Sequence, residues 1–322
     1  MKTGNLYVST VLLVVLFFCS SCRPQSGGTA GAPAISPESE ARLSLGGKIR
    51  NSGRMIAQIR EGLRGHNSSI TVSFSYGSDL FAEVNEVIEA WMEEALAETG
   101  RPDEGDYLRY QLGGYTYTST SDLKDGRRYY TVRIVPSYYT FLSQEKEVTK
   151  EVRRIRRSLR FLPWTSRETK IRKLYEYLCA NVRYDKVHRK NPYYHKRSTA
   201  YGALLRKTAT CQGYCTALYR LLREERIPCR IVTGTAGDEE LHAWLITEID
   251  GLWYLLDPTW DAGQDTFRYY LRGTKDFAAQ PDDSDSAEDA LVPHLPGSAF
   301  QTEEFVQEHP MAEMSGSVPA KQ

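Results

Sequence analysis

No sign of charge prevails in this chain: Lys plus Arg and Asp plus Glu each number 41 among 322 residues. Without a basic excess or a nucleic-acid motif, the sequence gives no support for a polyanionic partner. Cysteine is scarce, with six residues at Cys19, Cys22, Cys179, Cys211, Cys215 and Cys229. No cluster of histidine, cysteine and acidic residues has metal-ligand spacing. His188 and His195 share a polar, aromatic loop without an acidic or thiol partner at such spacing, so no metal and no cofactor is expected. Long apolar runs are also missing, except Val8–Phe18, which is too short for a confident membrane span.

The informative stretch is Lys207–Asp261. It contains Thr210-Cys211-Gln212-Gly213-Tyr214-Cys215, then Leu241-His242-Ala243-Trp244, then Trp253-Tyr254-Leu255-Leu256-Asp257-Pro258-Thr259-Trp260-Asp261. A cysteine, a histidine and an aspartate can serve as nucleophile, base and orienter of the base. Leu218, Leu221 and Leu222 give the segment after Cys211 an apolar stripe, with Arg220, Arg223 and Glu224 on the polar face, so a helix starts at Cys211. The positive end of the helix dipole lowers the pKa of a thiol there, and the Cys211 N–H is a candidate oxyanion donor. Gly213 has no Cβ, so backbone or substrate can approach the helix start. Cys215, one turn on, is expected in the core, as are Cys179 and Cys229; their disulfide pairing stays open.

Which aspartate orients His242 follows from a hairpin. Asp250-Gly251 is a two-residue turn signal between apolar strands. Ile249 then faces Leu252, paired positions sum to 501, and His242 stands opposite Thr259 with Asp257 on its diagonal. That diagonal is within side-chain reach, at about 7–8 Å between backbones. Asp261 lies beyond Pro258, where pairing is expected to fail.

These three motifs, in this order, resemble the core of the transglutaminase-like superfamily. The likeness extends upstream to the helix Ile171–Val182 and to Tyr184-Asp185, and covers the second half of the chain. It implies an α+β fold: a papain-like core in which a helix carrying the cysteine packs on an antiparallel sheet, preceded here by a small α/β domain. It also implies a triad of Cys211, His242 and Asp257, with Gln212, Gly213, Tyr214 and Trp244 meeting substrate. Many members have glycine two residues before the nucleophile, where this chain has Ala209. The implied activity is thiol acyl transfer on peptide amides, as a peptidase, an amidase or a protein-glutamine transglutaminase. A catalytically inactive module that binds peptide or cell-wall ligands is the alternative.

Met1–Cys22 reads as an export signal, with Lys2 before the apolar run. Ser20-Ser21-Cys22 resembles the lipobox of bacterial lipoproteins, which implies lipidation at Cys22 and anchoring at a bacterial membrane in the cell envelope. Residues 23–46 are rich in Gly, Ala, Pro and Ser and read as a flexible linker. Residues 47–140 read as helix, strand, helix and two strands, with Leu108–Thr118 as the first of the two. Residues 141–313 read as the transglutaminase-like domain and 314–322 as a disordered tail. The basic helix ending near Leu159 is expected to bury Val148, Val152, Ile155 and Leu159 and to keep its arginines wet. The expected partners are a protein or peptide substrate, with cell-wall peptide a candidate, and the membrane through the lipid; no nucleic acid is expected.

Overall fold

The computed structural model describes residues 7–9, 52–77, 84–237, 240–277 and 291–315. They fall into two compact units that divide between Leu142 and Ser143, with residues 100–102 assigned to the second. Cys22, the linker and residues 316–322 lie outside the described residues. Among the described residues, no helix is long and apolar enough to cross a membrane.

The first unit holds one antiparallel sheet. Its strands are β1 (Tyr7–Ser9), β2 (Ile70–Gly77), β3 (Leu112–Lys124) and β4 (Arg127–Tyr138), in the order β1-β3-β4-β2. Strand alternation puts Ile70, Val72, Phe74, Tyr117, Val132 and Ile134 on one side. There they meet Met55, Ile59 and Leu63 of the helix Ser52–Arg64, and Val87, Ile88 and Trp91 of the helix Val84–Ala95. Leu108–Thr118 is not wholly a strand, because Asp106–Gln111 is helical and β3 starts at Leu112. Gly105 has no side chain to cap that helix. Glu98 Oε1 does so instead, accepting from Asp106 N at 2.7 Å.

In the second unit, Ser166 caps the helix Arg167–Asn181 by accepting from Thr169 N at 3.2 Å. The helix Cys211–Glu224 packs on β7 (Cys229–Ala236) and β8 (Glu240–Ile249). Its arginines are not on a wet face. Arg220 donates to Thr149 Oγ1 at 2.9 Å and Arg223 to Cys229 O at 2.8 Å, both side chains being buried. The helix is enclosed by structure on every side, so each of these guanidinium groups takes a protein oxygen as partner.

The sheet continues with β9 (Leu252–Leu256), β10 (Tyr270–Arg272) and β11 (His294–Pro296), in the order β10-β9-β8-β7-β11. Asp250 and Gly251 join β8 to β9, both with positive φ, at 52° and 86°. This backbone twist suits a two-residue hairpin. Pairing runs from Ile249↔Leu252 to Leu245↔Leu256, so its sum is 501 throughout. It stops at Leu256, and no His242–Thr259 pair forms. The next residues wind into a helical turn, Pro258–Asp261, with Asp257 as its N-cap.

Candidate active site

The approach to Cys211 is held from two sides. Two short parallel strands, β5 (Arg183–Tyr184) and β6 (Thr208–Ala209), pair just before the helix begins. Lys207 enters β6 in the left-handed region. The Arg197 carbonyl accepts from Thr210 N at 2.8 Å. Thr210 is the N-cap residue, but its side chain makes no cap bond; its hydroxyl lies 3.3 Å from Arg197 O and donates there. The helix that starts at Cys211 therefore lacks the side-chain oxygen that commonly neutralises its first amides. The thiol is buried, with 4% of the residue exposed.

His242 sits on β8, opposite Gly234 of β7. Its Nε2–H donates to Asp257 Oδ2 at 2.6 Å. Cys211 also acts on the ring, favouring its protonated form, and with Nε2 engaged by Asp257 the nitrogen left for a thiol is Nδ1. Cys211 and Asp257 thus both act on one imidazole. Burial disfavours the charged ring, but the Asp257 carboxylate beside it, the bond to that carboxylate and the influence of Cys211 outweigh burial. The pKa of His242 is raised to about 10. Asp257 is wholly buried, which favours its neutral form. The two imidazoles His242 and His294 overcome this and hold it well below the usual carboxylate range. Oδ1 of Asp257 accepts from Thr259 N at 2.9 Å, which turns the chain into the helical turn and fixes the carboxylate.

The other acidic candidate does different work. Asp261 accepts from Tyr175 Oη at 2.6 Å, from Arg268 N at 2.8 Å and from Tyr269 N at 3.0 Å. Burial pushes its pKa up to about 6 despite those bonds, with the Asp257 charge adding to the rise. Burial likewise raises the thiols of Cys179 and Cys215. Cys179, Cys211, Cys215 and Cys229 are all free thiols.

Cys211, His242 and Asp257 are brought together, whereas the residues expected to meet substrate face inward. Tyr214 is buried and donates to Val182 O at 2.6 Å. A Cβ on Gly213 would run into the Arg197 carbonyl and the Ala209 methyl, so the close approach there is made by backbone. Gln212 and Trp244 are buried; Trp244 stacks 6.2 Å from the His242 ring. His188 of the loop does have an acidic partner: Asp185 accepts from its backbone N and from Nδ1, both at about 3 Å.

Three contributors were not legible as site residues. Trp260 stacks on His242 with centroids 5.1 Å apart. Tyr175 anchors Asp261. His294, on β11, brings Nε2 to 3.0 Å from Asp257 Oδ2. Its sole sequence signal is a histidine among apolar residues, in Leu291-Val292-Pro293-His294-Leu295-Pro296. His242, Asp257 and His294 offer three potential metal-ligand atoms within 4.8 Å of one another. The separations from Oδ2 to the two Nε2 atoms, 2.6 and 3.0 Å, are hydrogen-bond lengths. Two tetrahedral ligands on one zinc stand about 3.4 Å apart.

Residues 162–258 match the family model of the transglutaminase-like superfamily. Four solved chains match the structure. One is a TGase, with 17% identity and a TM-score of 0.35, covering 49% of this chain and 47% of its own. Another is a candidate cysteine protease from Cytophaga hutchinsonii, with 14% identity and a TM-score of 0.28, covering 41% of this chain and 52% of its own. The chain thus spans about half the length of each of these two. No curated protein matches it.

Proposed function

From the premise that the chain carries a domain of the transglutaminase-like superfamily, with an α+β papain-like core, we propose that it is a thiol acyl-transfer enzyme acting on peptide amides. The observation that carries this reading is the single imidazole of His242, bonded through Nε2 to Asp257 at 2.6 Å, with Cys211 acting on the same ring to favour its protonated form. Asp257 fixes the ring's orientation and favours its protonated form, so the proton taken from Cys211 is held beside the sulfur. The thiolate attacks the amide carbonyl, and the oxyanion develops near the uncapped start of the helix. Imidazolium Nδ1–H then protonates the leaving amine, leaving a thioester on Cys211. Water or a second amine resolves the thioester, giving hydrolysis or amine transfer respectively.

The segment between β5 and the 3₁₀ turn His195–Ser198 exposes Val187 and Tyr193. It is braced from inside by the Arg197 guanidinium, which donates to Tyr194 O at 2.6 Å and to Asn191 O. This is a candidate wall for an extended peptide, such as a cell-wall peptide. The Ser20-Ser21-Cys22 run supports a lipid anchor at Cys22 and a place in the cell envelope. Fatty-acid incorporation that is equal in wild type and Cys22→Ala removes that part of the reading.

The test of function is a panel of glutamine- and cell-wall-type peptides, incubated with purified chain with and without hydroxylamine. Turnover lost in Cys211→Ala supports the enzyme, and hydroxamate formation marks amine transfer. Binding of a panel peptide that survives Cys211→Ala, with no turnover in wild type, favours the binding module.

A further inference from the structure

Asp257 is the acceptor for two imidazoles. Oδ2 takes Nε2 of His242 at 2.6 Å and Nε2 of His294 at 3.0 Å, while Oδ1 is taken by Thr259 N. These three donors fix both carboxylate oxygens, leaving the group no freedom to swing. The His294 side chain is fully enclosed. Its Nδ1 lies 3.1 Å from Val292 O, which fixes the ring's rotation about its own bond. Trp244, Trp260, Tyr269 and Phe277 surround the ring, with centroids 4.8–5.6 Å away. Asp257, His242 and Tyr269 are the titratable groups facing it.

The backbone is shaped to admit this ring. β11 pairs antiparallel with β7, His294 opposite Ala236 and Pro296 opposite Gly234. A Cβ on Gly234 would collide with the Leu295 carbonyl oxygen, so glycine is what lets β11 lie this close. Gly234 is also the residue opposite His242 on the other side of β7. One small residue therefore sits between the strand bearing the candidate base and the strand bearing the second histidine. His294 lies 36 residues beyond the end of the family-model match at residue 258 (294 − 258 = 36).

We propose that His294 is a positioning residue of this site, holding the Asp257 carboxylate so that Oδ2 meets the His242 ring in line. The proposal rests on the reading of Cys211, His242 and Asp257 as a triad. His294 touches neither the thiol nor a reacting atom; it acts by denying Asp257 the alternative rotamers that would release His242. A buried carboxylate oxygen left with one donor fewer seeks another partner, and the imidazolium that stabilises the Cys211 thiolate loses its fixed direction.

The experiment uses the purified full chain and the pH profile of Cys211 alkylation by iodoacetamide, read by peptide mapping. His294→Phe keeps an aromatic ring in the aromatic shell but removes the donor. The expected result is an acid limb displaced upward by about one pH unit, with roughly tenfold slower labelling on that limb. His294→Gln, whose carboxamide still offers N–H donors, keeps most of the wild-type profile. In an Asp257→Asn background, His294→Phe produces no further change, because its route to the thiol has already been cut. A His294→Phe profile that superimposes on wild type overturns the proposal while leaving the triad standing. So does an equal displacement in the Asp257→Asn background, because it shows action by another route. If His294→Phe does not fold, His294→Gln and Gly234→Ala carry the test. Gly234→Ala is then expected to shift the limb upward and His294→Gln to keep it, and any other pattern overturns the proposal. Failure of the underlying reading is separately visible as a wild-type profile unmoved by His242→Ala.

Discussion

Two carboxylates bracket one helical turn, four residues apart, both almost wholly buried, and they live in opposite surroundings. Asp257 faces two imidazoles and one amide, which hold it ionised well below the usual range. Asp261 faces a phenol and two amides, none of which carries a positive charge, and burial lifts it to about 6. The comparison separates hydrogen bonding from charge. Asp261 has three donors and remains easy to protonate; Asp257 has the charged ring of His242 beside it and does not. Enclosure alone does not decide whether a carboxylate keeps its charge, because the charge of its partners does.

The largest effect that sharpens this contrast is on rate. Asp257→Asn is expected to lower kcat/KM on the order of 10³–10⁴-fold, as for a lost orienter that leaves the histidine in the wrong tautomer. Asp261→Asn is expected to leave kcat/KM within a few-fold of wild type, since its contacts are to Tyr175 and backbone. Steady-state kinetics on a responsive peptide distinguishes the two, and equal losses would dissolve the distinction.

Next comes the alkaline limb. His242 is raised to about 10, so its imidazolium is available to the leaving amine up to that pH and is lost above it. The ring's raised pKa also adds stability that is fully present below about pH 6.5 and lost as pH rises through 10. In kcat/KM profiles of the intact protein, activity is expected to decline above about pH 10. A decline centred near 7 would contradict the pairing.

The third effect is on stability. The folded pKa of Asp261 is raised from 3.8 to about 6, so its contribution is present below 3.8 and lost as pH rises through 6. Between pH 5 and 8 this amounts to about 1.5 kcal/mol. Urea unfolding of wild type and Asp261→Asn at both pH values should show that the variant lacks this loss. Asp257 has the opposite sign: its contribution is present above 3.8 and lost as pH falls through its lower folded pKa.

The smallest effect belongs to the hydroxyl of Tyr175. Tyr175→Phe removes the bond to Asp261 Oδ2 at 2.6 Å, which now works against the raised pKa. Asp261 should then titrate higher still, with a loss of about 1 kcal/mol in unfolding free energy. A 13C-detected titration of the aspartate side chains reads the direction, and a downward shift would refute this account.

How far the sequence shows this site depends on how local each signal is. The hairpin register was legible because Asp250-Gly251 is a turn signal and the side-chain period is two, and Ile249↔Leu252 to Leu245↔Leu256 follows from those facts. The break at Leu256 was only half legible. Pro258 warned that pairing would fail, but not that Asp257 would cap a helical turn with its own carboxylate. Residues 108–111 look like the start of a strand but belong to the helix Asp106–Gln111, because the side chain that caps that helix, Glu98, lies eight residues upstream of Asp106. Arg220 and Arg223 fall on a polar face by periodicity yet are buried, because periodicity describes one helix, not what packs around it. His294 offers only a histidine among apolar residues, which does not say what the ring meets. It is 37 residues from Asp257 and meets it through a three-residue strand, too short to announce itself by alternation.

β11 has one more consequence, which bears on handling rather than chemistry. It covers the outer edge of β7, as β10 covers the outer edge of β9. An expression fragment cut at the end of the family match would retain the cysteine, the histidine and the aspartate but strip both covers, leaving two rows of unpaired backbone amides and carbonyls on a largely apolar sheet. Such rims recruit strands from neighbouring molecules. A fragment of that kind is expected to precipitate, and an inert precipitate would say nothing about whether the thiol can react.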